Sequence, residues 1–497
     1  MSTVNLAGAA ARGVFFTLAA QGLKIIIQIL SVVVLSRLLS PTDYGLLALV
    51  LVVVAFGEIF RDFGLTSASV QADVLTRGQR DNLFWINTAI GLALTLLMLA
   101  FSGVIAAVAQ EPALAPISQT LAVVFLLNGL ATQYRATLMR ELRFRALASI
   151  DVGSAALALA VGVWAAAAGW EYWALVAQQL ALGTIALIGA VAASRWVPRL
   201  PSRRDPVRDI VNFGWNLVGT NLVTYFGSQT DTIIVGLRFG IAPLGLYNRA
   251  YQLVMTPLGQ IRSPLTTVAL PVLSRIQSDA ARFAKYIVAG QLGLGYGLGL
   301  PLALAFGLSE DVVAVFLGPQ WGEAAPIVSL FAIAGILQTL SYVGYWIYLS
   351  RGLGSQLFRY TVVTTAIKIT CIVVGSTFGF VGVAAGFAVA PMISWPLSLF
   401  WLSRLTPTPV RALYAGAFRI LGVIVVVAGV SFWSGIATSG LAAWQSLGIG
   451  IVAGLAVAGL ALILPMYRAD VDRLRDFIRL LLRSPRGQSP TEEGAGE

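Results

Sequence analysis

Long apolar runs separated by short polar turns fill this chain from residue 13 to residue 466. A hydrocarbon layer about 30 Å thick takes about 20 helical residues to cross, and within it only a helix or a closed barrel satisfies the backbone. Fourteen runs reach that length: 13 to 36, 44 to 69, 83 to 108, 117 to 139, 147 to 169, 172 to 194, 210 to 237, 244 to 270, 285 to 308, 324 to 350, 356 to 378, 380 to 403, 412 to 434 and 441 to 466. The pattern predicts an all-α polytopic membrane protein of about 14 transmembrane helices. Beyond them, Val471, Leu474, Ile478, Leu481 and Leu482 recur at helical spacing among arginines and aspartates, the mark of an amphipathic helix lying on anionic lipid. The last residues, RGQSPTEEGAGE, read as disordered.

Composition agrees, because 58% of the 497 residues are hydrophobic and 11% are charged, against about 25% charged in a soluble protein. The formal charge of +11 arises from arginine clusters placed between apolar runs, so it reports topology rather than a nucleic-acid surface. Alternate loops hold Arg77 and Arg80; Arg140, Arg143 and Arg145; Arg195 to Arg208; Arg275, Arg282 and Lys285; Arg351 and Arg359; and Arg404 and Arg411. The opposite loops hold Arg37 and Arg238 beside several acids, so the positive-inside rule predicts that both termini are cytoplasmic. With no histidine and the single Cys371 in an apolar run, imidazole chemistry, thiol clusters and an intrachain disulfide are excluded. No metal or cofactor is expected.

The proline- and arginine-rich stretch 195–209 divides the chain into a six-helix lobe, 1–194, and a second, 210–404, followed by helices 13 and 14 (405–466) and a tail (467–497). The turn RLLSPTDYGLLA after the first span recurs in outline after the seventh as RFGIAPLGLYNRA, pairing Arg37 with Arg238 and Gly45 with Gly245. An even number of helices per lobe makes such a repeat parallel.

Charges within a span cost about 2.5 to 3.5 kcal/mol each unless they face other helices or water. Lys24 sits in the middle of the first span, with Gln21 and Gln28 at i−3 and i+4 on the same face. Glu58, Arg61 and Asp62 follow in the second span, where Glu58 and Arg61 can pair at i,i+3; they read either as a structural gate or as ion coupling. Arg135 closes a polar face with Asn128 and Thr132, and Asn212, Asn216, Thr220, Thr224 and Ser228 recur every four residues up to Asp231. Arg262 lies between Pro257 and Pro264, where a broken helix could open to a cavity, and Lys368 is central in the eleventh span. Arg249, Arg419 and Asp151 lie near predicted helix ends, where long side chains reach the headgroups. Tyr342, Tyr345, Trp346 and Tyr348 suggest an interfacial aromatic belt. The remaining basic excess suits an anionic ligand.

Ser36 to Gly45, SRLLSPTDYG, followed by an apolar helix and FRDFGLTSASVQ from Phe60 to Gln71, resembles the first hairpin of bacterial oligosaccharide-lipid (Wzx-type) flippases of the multidrug/oligosaccharidyl-lipid/polysaccharide superfamily. The resemblance implies two six-helix bundles around a central cavity that opens alternately inward and outward. It implies as substrate a polyprenyl-diphosphate-linked oligosaccharide, moved to the outer leaflet of a bacterial inner membrane for lipopolysaccharide or exopolysaccharide export, with membrane lipids and the polymerase and export machinery as partners. On this reading Lys24, Gln21, Gln28, Arg61, Arg135, Asn212, Asn216, Arg262 and Lys368 face substrate, while Glu58, Asp62 and Asp231 serve a gate or a coupling ion. A lipid II flippase or a drug or cation antiporter of the same fold is the alternative, and a membrane glycosyltransferase or polymerase the more distant one.

Overall fold

The computed structural model describes residues 3–62, 76–202 and 208–482, and the side chains of residues 19–61, 76–202 and 221–475. Its elements are helices throughout these residues: α1 (Thr3–Leu38), α2 (Pro41–Asp62), α3 (Arg77–Val108), α4 (Leu114–Leu121), α5 (Val123–Arg140), α6 (Phe144–Ala167), α7 (Tyr172–Ser194), α8 (Arg208–Phe239), α9 (Ile241–Arg275), α10 (Ala280–Gly307), α11 (Ser309–Phe316), α12 (Ala325–Ser350), α13 (Gly354–Gly375), α14 (Phe380–Leu405), α15 (Val410–Ala437), α16 (Ala443–Ala461) and α17 (Pro465–Leu482). Twelve of the described stretches are long and apolar enough to cross a membrane, α4 and α5 together forming one of them. The chain is therefore an all-α, multi-pass membrane protein. Helices α8 and α9 fall at the seventh and eighth predicted spans and are 32 and 35 residues long. They stand outside the twelve and carry the polar stripe and arginines noted in the sequence. All of the Phe60–Gln71 phrase after Asp62 lies outside the described residues.

The chain packs into two compact units. The first comprises Met1–Pro264, Ser309–Phe331 and Thr361–Ala390; the second comprises Leu265–Leu308, Ala332–Tyr360 and Pro391–Glu497.

In the first unit, the SPTD turn is a helix start whose residues each have a task. Ser40 caps α2, receiving the Asp43 amide at 3.3 Å, while Asp43 Oδ2 accepts from the Ser40 amide at 2.8 Å and its hydroxyl at 2.6 Å. This is a reciprocal capping box with an acid in the first turn and Pro41, which has no amide hydrogen to leave unpaired, at its first position. The preceding Ser36 carbonyl accepts from Trp321 Nε1 at 2.8 Å and Gln320 Nε2 at 2.7 Å, and Arg37 donates to the Val315 carbonyl at 2.6 Å. The start of α2 meets the start of α9 backbone to backbone: a Cβ on Gly45 would lie 1.9 Å from the Ile241 carbonyl oxygen, and one on Gly245 1.8 Å from that of Pro41. The two glycines that the sequence repeat pairs thus pack reciprocally against each other's turns. Gly240, at a φ of 91°, is the sole residue between α8 and α9 and makes that turn possible.

The helix that carries Arg262 differs from the sequence expectation. Helix α9 runs without a break from Ile241 to Arg275 through Pro257 and Pro264, and Arg262 is buried on it. In membrane helices, carbonyls freed by proline are satisfied by neighbours, so a proline need not open the helix.

In the second unit, α10 packs on α15, where Gly295 and Gly299 leave room for Ile420 and Ile424. Trp346 and Tyr348 are buried in this unit, Trp346 Nε1 donating to Thr266 Oγ1 at 3.0 Å, so these two aromatics of α12 belong to the core, whereas Tyr345 is exposed. Arg419, expected to reach headgroups, instead grips Asp470 of α17 through Nε and Nη2 at 2.8 Å each.

Candidate functional site: a polar chamber in the first unit

Residues from α1, α2, α6, α7 and α9 enclose a chamber of about 500 Å³. Its polar lining is Lys24, Gln28 and Ser31 of α1, Asp151 and Ser154 of α6, Gln178 and Gln179 of α7, and Asn248, Arg249 and Gln252 of α9. Tyr44 of α2 lies at the end where α2 meets α9. A second compartment of about 460 Å³ shares Ala48, Leu51, Gln179 and Asn248 with it and adds Glu58, Asn128, Gln229 and Thr232. Apolar residues such as Leu47, Leu175 and Leu182 complete the walls, the mix that suits a ligand with both polar and apolar parts.

The charges divide into paired and unpaired. Arg61 forms an ion pair with Glu58 and donates to Thr132 Oγ1 at 2.6 Å, while Asn128 Nδ2 donates to the other Glu58 oxygen at 2.9 Å. Both charges of this cluster are compensated. Arg135 pairs with Asp151 at 2.8 Å, each side chain about one-third exposed. Asp151, which the sequence suggested lay at a membrane-surface helix end, is a wall of the chamber, and its charge is met by Arg135.

Two cations remain. Lys24 is exposed to the chamber and has no ion pair or hydrogen bond among the described residues. Arg249 is 6% exposed, and its guanidinium lies 3.3 Å from the centroid of the Tyr44 ring, with no hydrogen-bond partner for Nε. Drawing an ion out of water costs several kcal/mol, and a desolvated cation–π contact returns about 2 kcal/mol. The difference is what an incoming anion would supply. Arg249 does not reach the headgroups as its place near a predicted helix end suggested, because the crossing of α2 over α9 sets Tyr44 across it.

The other predicted positions separate. Gln28 lines the chamber and accepts a hydrogen bond from Gln260, whereas Gln21, one turn earlier, is half-buried outside the lining. Lys368 donates to the Gly227 carbonyl at 2.8 Å and lies 4.5 Å from the Phe387 ring centroid, so it ties α13 to α8 and α14. Asp231 is buried, accepts the Tyr247 hydroxyl at 2.8 Å on one oxygen and has no partner on the other. Arg262 is outside the chamber lining. The side chains of Asp62, Asn212 and Asn216 lie outside the described residues.

Sequence reasoning missed Arg249, Asn248 and Gln252 on α9 and the Gln178–Gln179 pair on α7. A signal was present for both: Asn248 and Gln252 share a helix face at i,i+4, and Gln178 and Gln179 sit inside an otherwise apolar span.

Comparison with known proteins places this architecture. The solved structure of the lipid II flippase MurJ in an inward closed conformation superposes with a TM-score of 0.69, covering 90% of this chain and 99% of that one at 14% identity. An inward-facing multidrug resistance MATE family transporter of the MOP superfamily gives 0.59 over 81% and 99%, also at 14% identity. At that identity the likeness concerns the fold. In sequence, the chain is 26% identical over 380 residues to the lipopolysaccharide biosynthesis protein WzxC of Escherichia coli (strain K12), covering 74% of this chain and 75% of that protein. It is 28% identical over 340 residues to the teichuronic acid biosynthesis protein TuaB of Bacillus subtilis (strain 168), covering 67% and 69%. The succinoglycan biosynthesis transport protein ExoT of Rhizobium meliloti (strain 1021) is 25% identical over 316 residues, or 63% and 64%. The sequence model of the polysaccharide biosynthesis protein family matches residues 34–326, from the SRLLSPTDYG turn through the chamber helices α2, α6, α7 and α9, beginning just after the chamber-lining residues of α1, and the chain belongs to that family.

Proposed function

We propose that this protein is a flippase that moves a polyprenyl-diphosphate-linked oligosaccharide from the cytoplasmic to the outer leaflet of a bacterial inner membrane by alternating access, both termini being cytoplasmic. The observation that carries the proposal is the pair of cations, Lys24 and Arg249, without an ion-pair partner among the described residues, in a chamber lined by the apolar spans α1, α2, α6 and α7 together with α9. A diphosphate cannot enter hydrocarbon alone, because burying an unpaired ion costs tens of kcal/mol by Born estimates. In the chamber its charge would meet Lys24 and Arg249, while Gln28, Gln178, Gln179, Asn248 and Gln252 offer donors and acceptors to sugar hydroxyls. The relatives named for lipopolysaccharide, teichuronic acid and succinoglycan biosynthesis support a surface-polysaccharide precursor as the cargo.

The reciprocal Gly45–Gly245 crossing closes the end of the chamber that the positive-inside rule assigns to the outer face. In this reading it is the outer gate, and its parting releases the headgroup outward. An inside-negative potential favours that direction by about 2.3 kcal/mol per charge per 100 mV. Glu58 is neutralised by Arg61 and belongs to the scaffold; Asp231, with a free carboxylate oxygen, is the better candidate for an ion-coupled step. A cation antiporter is disfavoured, since a cationic drug would meet a surplus of positive charge. The polymerase and export machinery would receive the flipped product.

The test is flipping of a fluorescent lipid-linked oligosaccharide in proteoliposomes. Arg249→Ala is expected to slow it by at least about tenfold, equivalent to about 1.4 kcal/mol, with the variant still monodisperse after purification. Unchanged flipping would reject the assignment.

A further inference from the structure

We infer that the second unit holds a binding site for one anionic phospholipid, which lies apart from the chamber and goes beyond the transport reading. An apolar groove of about 360 Å³ is walled by Val268 and Val272 of α9, Gly293 and Gly297 of α10, Trp346 of α12 and Leu474 of α17. A second pocket of about 380 Å³ shares Tyr286 with the groove and carries Lys285 of α10 and Arg473 of α17 in a wall otherwise of uncharged residues such as Val288 and Pro409. A hydrocarbon slot adjoining a cationic pocket is complementary to an amphiphile with an apolar chain and an anionic head.

The basic side is fixed in place by its scaffold. Asp470 is 1% exposed and accepts from Arg419 twice at 2.8 Å and from the Tyr296 hydroxyl at 3.1 Å. This clamp holds α17 so that Leu474 faces the groove and the adjacent Arg473 faces the cationic pocket. Arg473 Nη1 also donates to Asp470 Oδ1 at 3.3 Å, but the Arg473 side chain remains 53% exposed, leaving its other donors available. Asp470 is itself matched by Arg419, so Lys285 and Arg473 are left to attract an anion. An amphipathic helix at a membrane interface sits at headgroup depth, where anionic phospholipid is the abundant ligand. The groove admits a chain because α10 presents glycine there: a Cβ at Gly297 would meet nothing within 4 Å.

The experiment uses the purified full chain and a phosphatidylglycerol carrying a photoreactive acyl chain. Cross-links are expected in the 290–297 segment, suppressed by excess phosphatidylglycerol and not by phosphatidylcholine. The variant with both Lys285→Ala and Arg473→Ala should lose at least about tenfold of that preference. Gly297→Leu, which fills open space, should abolish cross-linking without lowering the melting temperature. Binding that is indifferent to headgroup charge, or a preference that survives the double variant, would overturn the site. Suppression by a polyprenyl phosphate but not by phosphatidylglycerol would assign the groove to the substrate's tail and overturn it as well. Arg249→Ala should leave this cross-linking intact, so failure here and failure of the transport reading are separable.

Discussion

At Asp470, a single carboxylate fixes a whole helix. Its two oxygens take two hydrogen bonds from Arg419, one from Tyr296 and one from Arg473 in a nearly sealed setting. Removing one member of a buried pair strands the other, at a cost of about 3 to 5 kcal/mol. Asp470→Ala should therefore lower the unfolding temperature by several degrees and expose α17 to protease, whereas Asp472→Ala, on the exposed side, should do neither; thermal melts with limited proteolysis check both. Pairings of this kind were the least legible part of the sequence. Arg419 and Asp470 are 51 positions apart, and nothing local joins them. The same holds for Arg135 with Asp151, where distance from a helix end hid a cross-helix ion pair. Lys24 and Gln28 were readable, because an intramembrane lysine with an amide one turn away is visible on one helix. Arg249 was not, because its depth depends on a neighbouring helix crossing above it.

Among the elements, the hydrophobic pattern located the helices well, since the length of an apolar run and the thickness of the bilayer constrain each other. The SPTD phrase was legible as a turn, and its capping chemistry explains why those residues stand there. The expected break of α9 at its prolines did not follow, since a transmembrane helix can carry proline without opening. The Gly45–Gly245 match was seen as a repeat, yet its use as a point of contact between α2 and α9 required coordinates. Gly45→Val would place atoms within 1.9 Å of the Ile241 carbonyl oxygen, so the two helix starts must part. The expected outcome is a shift toward an outward-open population, read as faster labelling of a cysteine placed at Ser31 by a membrane-impermeant thiol reagent from the outer face. Labelling no faster than in the parent would remove the crossing from the gate.

Across the whole molecule, charge and fold contribute separately. The fold is shared with MurJ and with multidrug transporters at 14% identity, so it cannot by itself name a cargo. What bears on the cargo is how the chamber charges resolve: among the described residues Glu58 and Asp151 have ion-pair partners, and Lys24 and Arg249 have none. The most direct measurement is equilibrium binding of a short-chain prenyl diphosphate to the purified protein at two salt concentrations, beside the uncharged prenyl alcohol. The account predicts that Lys24→Ala combined with Arg249→Ala weakens diphosphate binding by about a hundredfold, or about 2.7 kcal/mol, abolishes its salt dependence and leaves alcohol binding unchanged. Equal diphosphate affinity in parent and variant would contradict it.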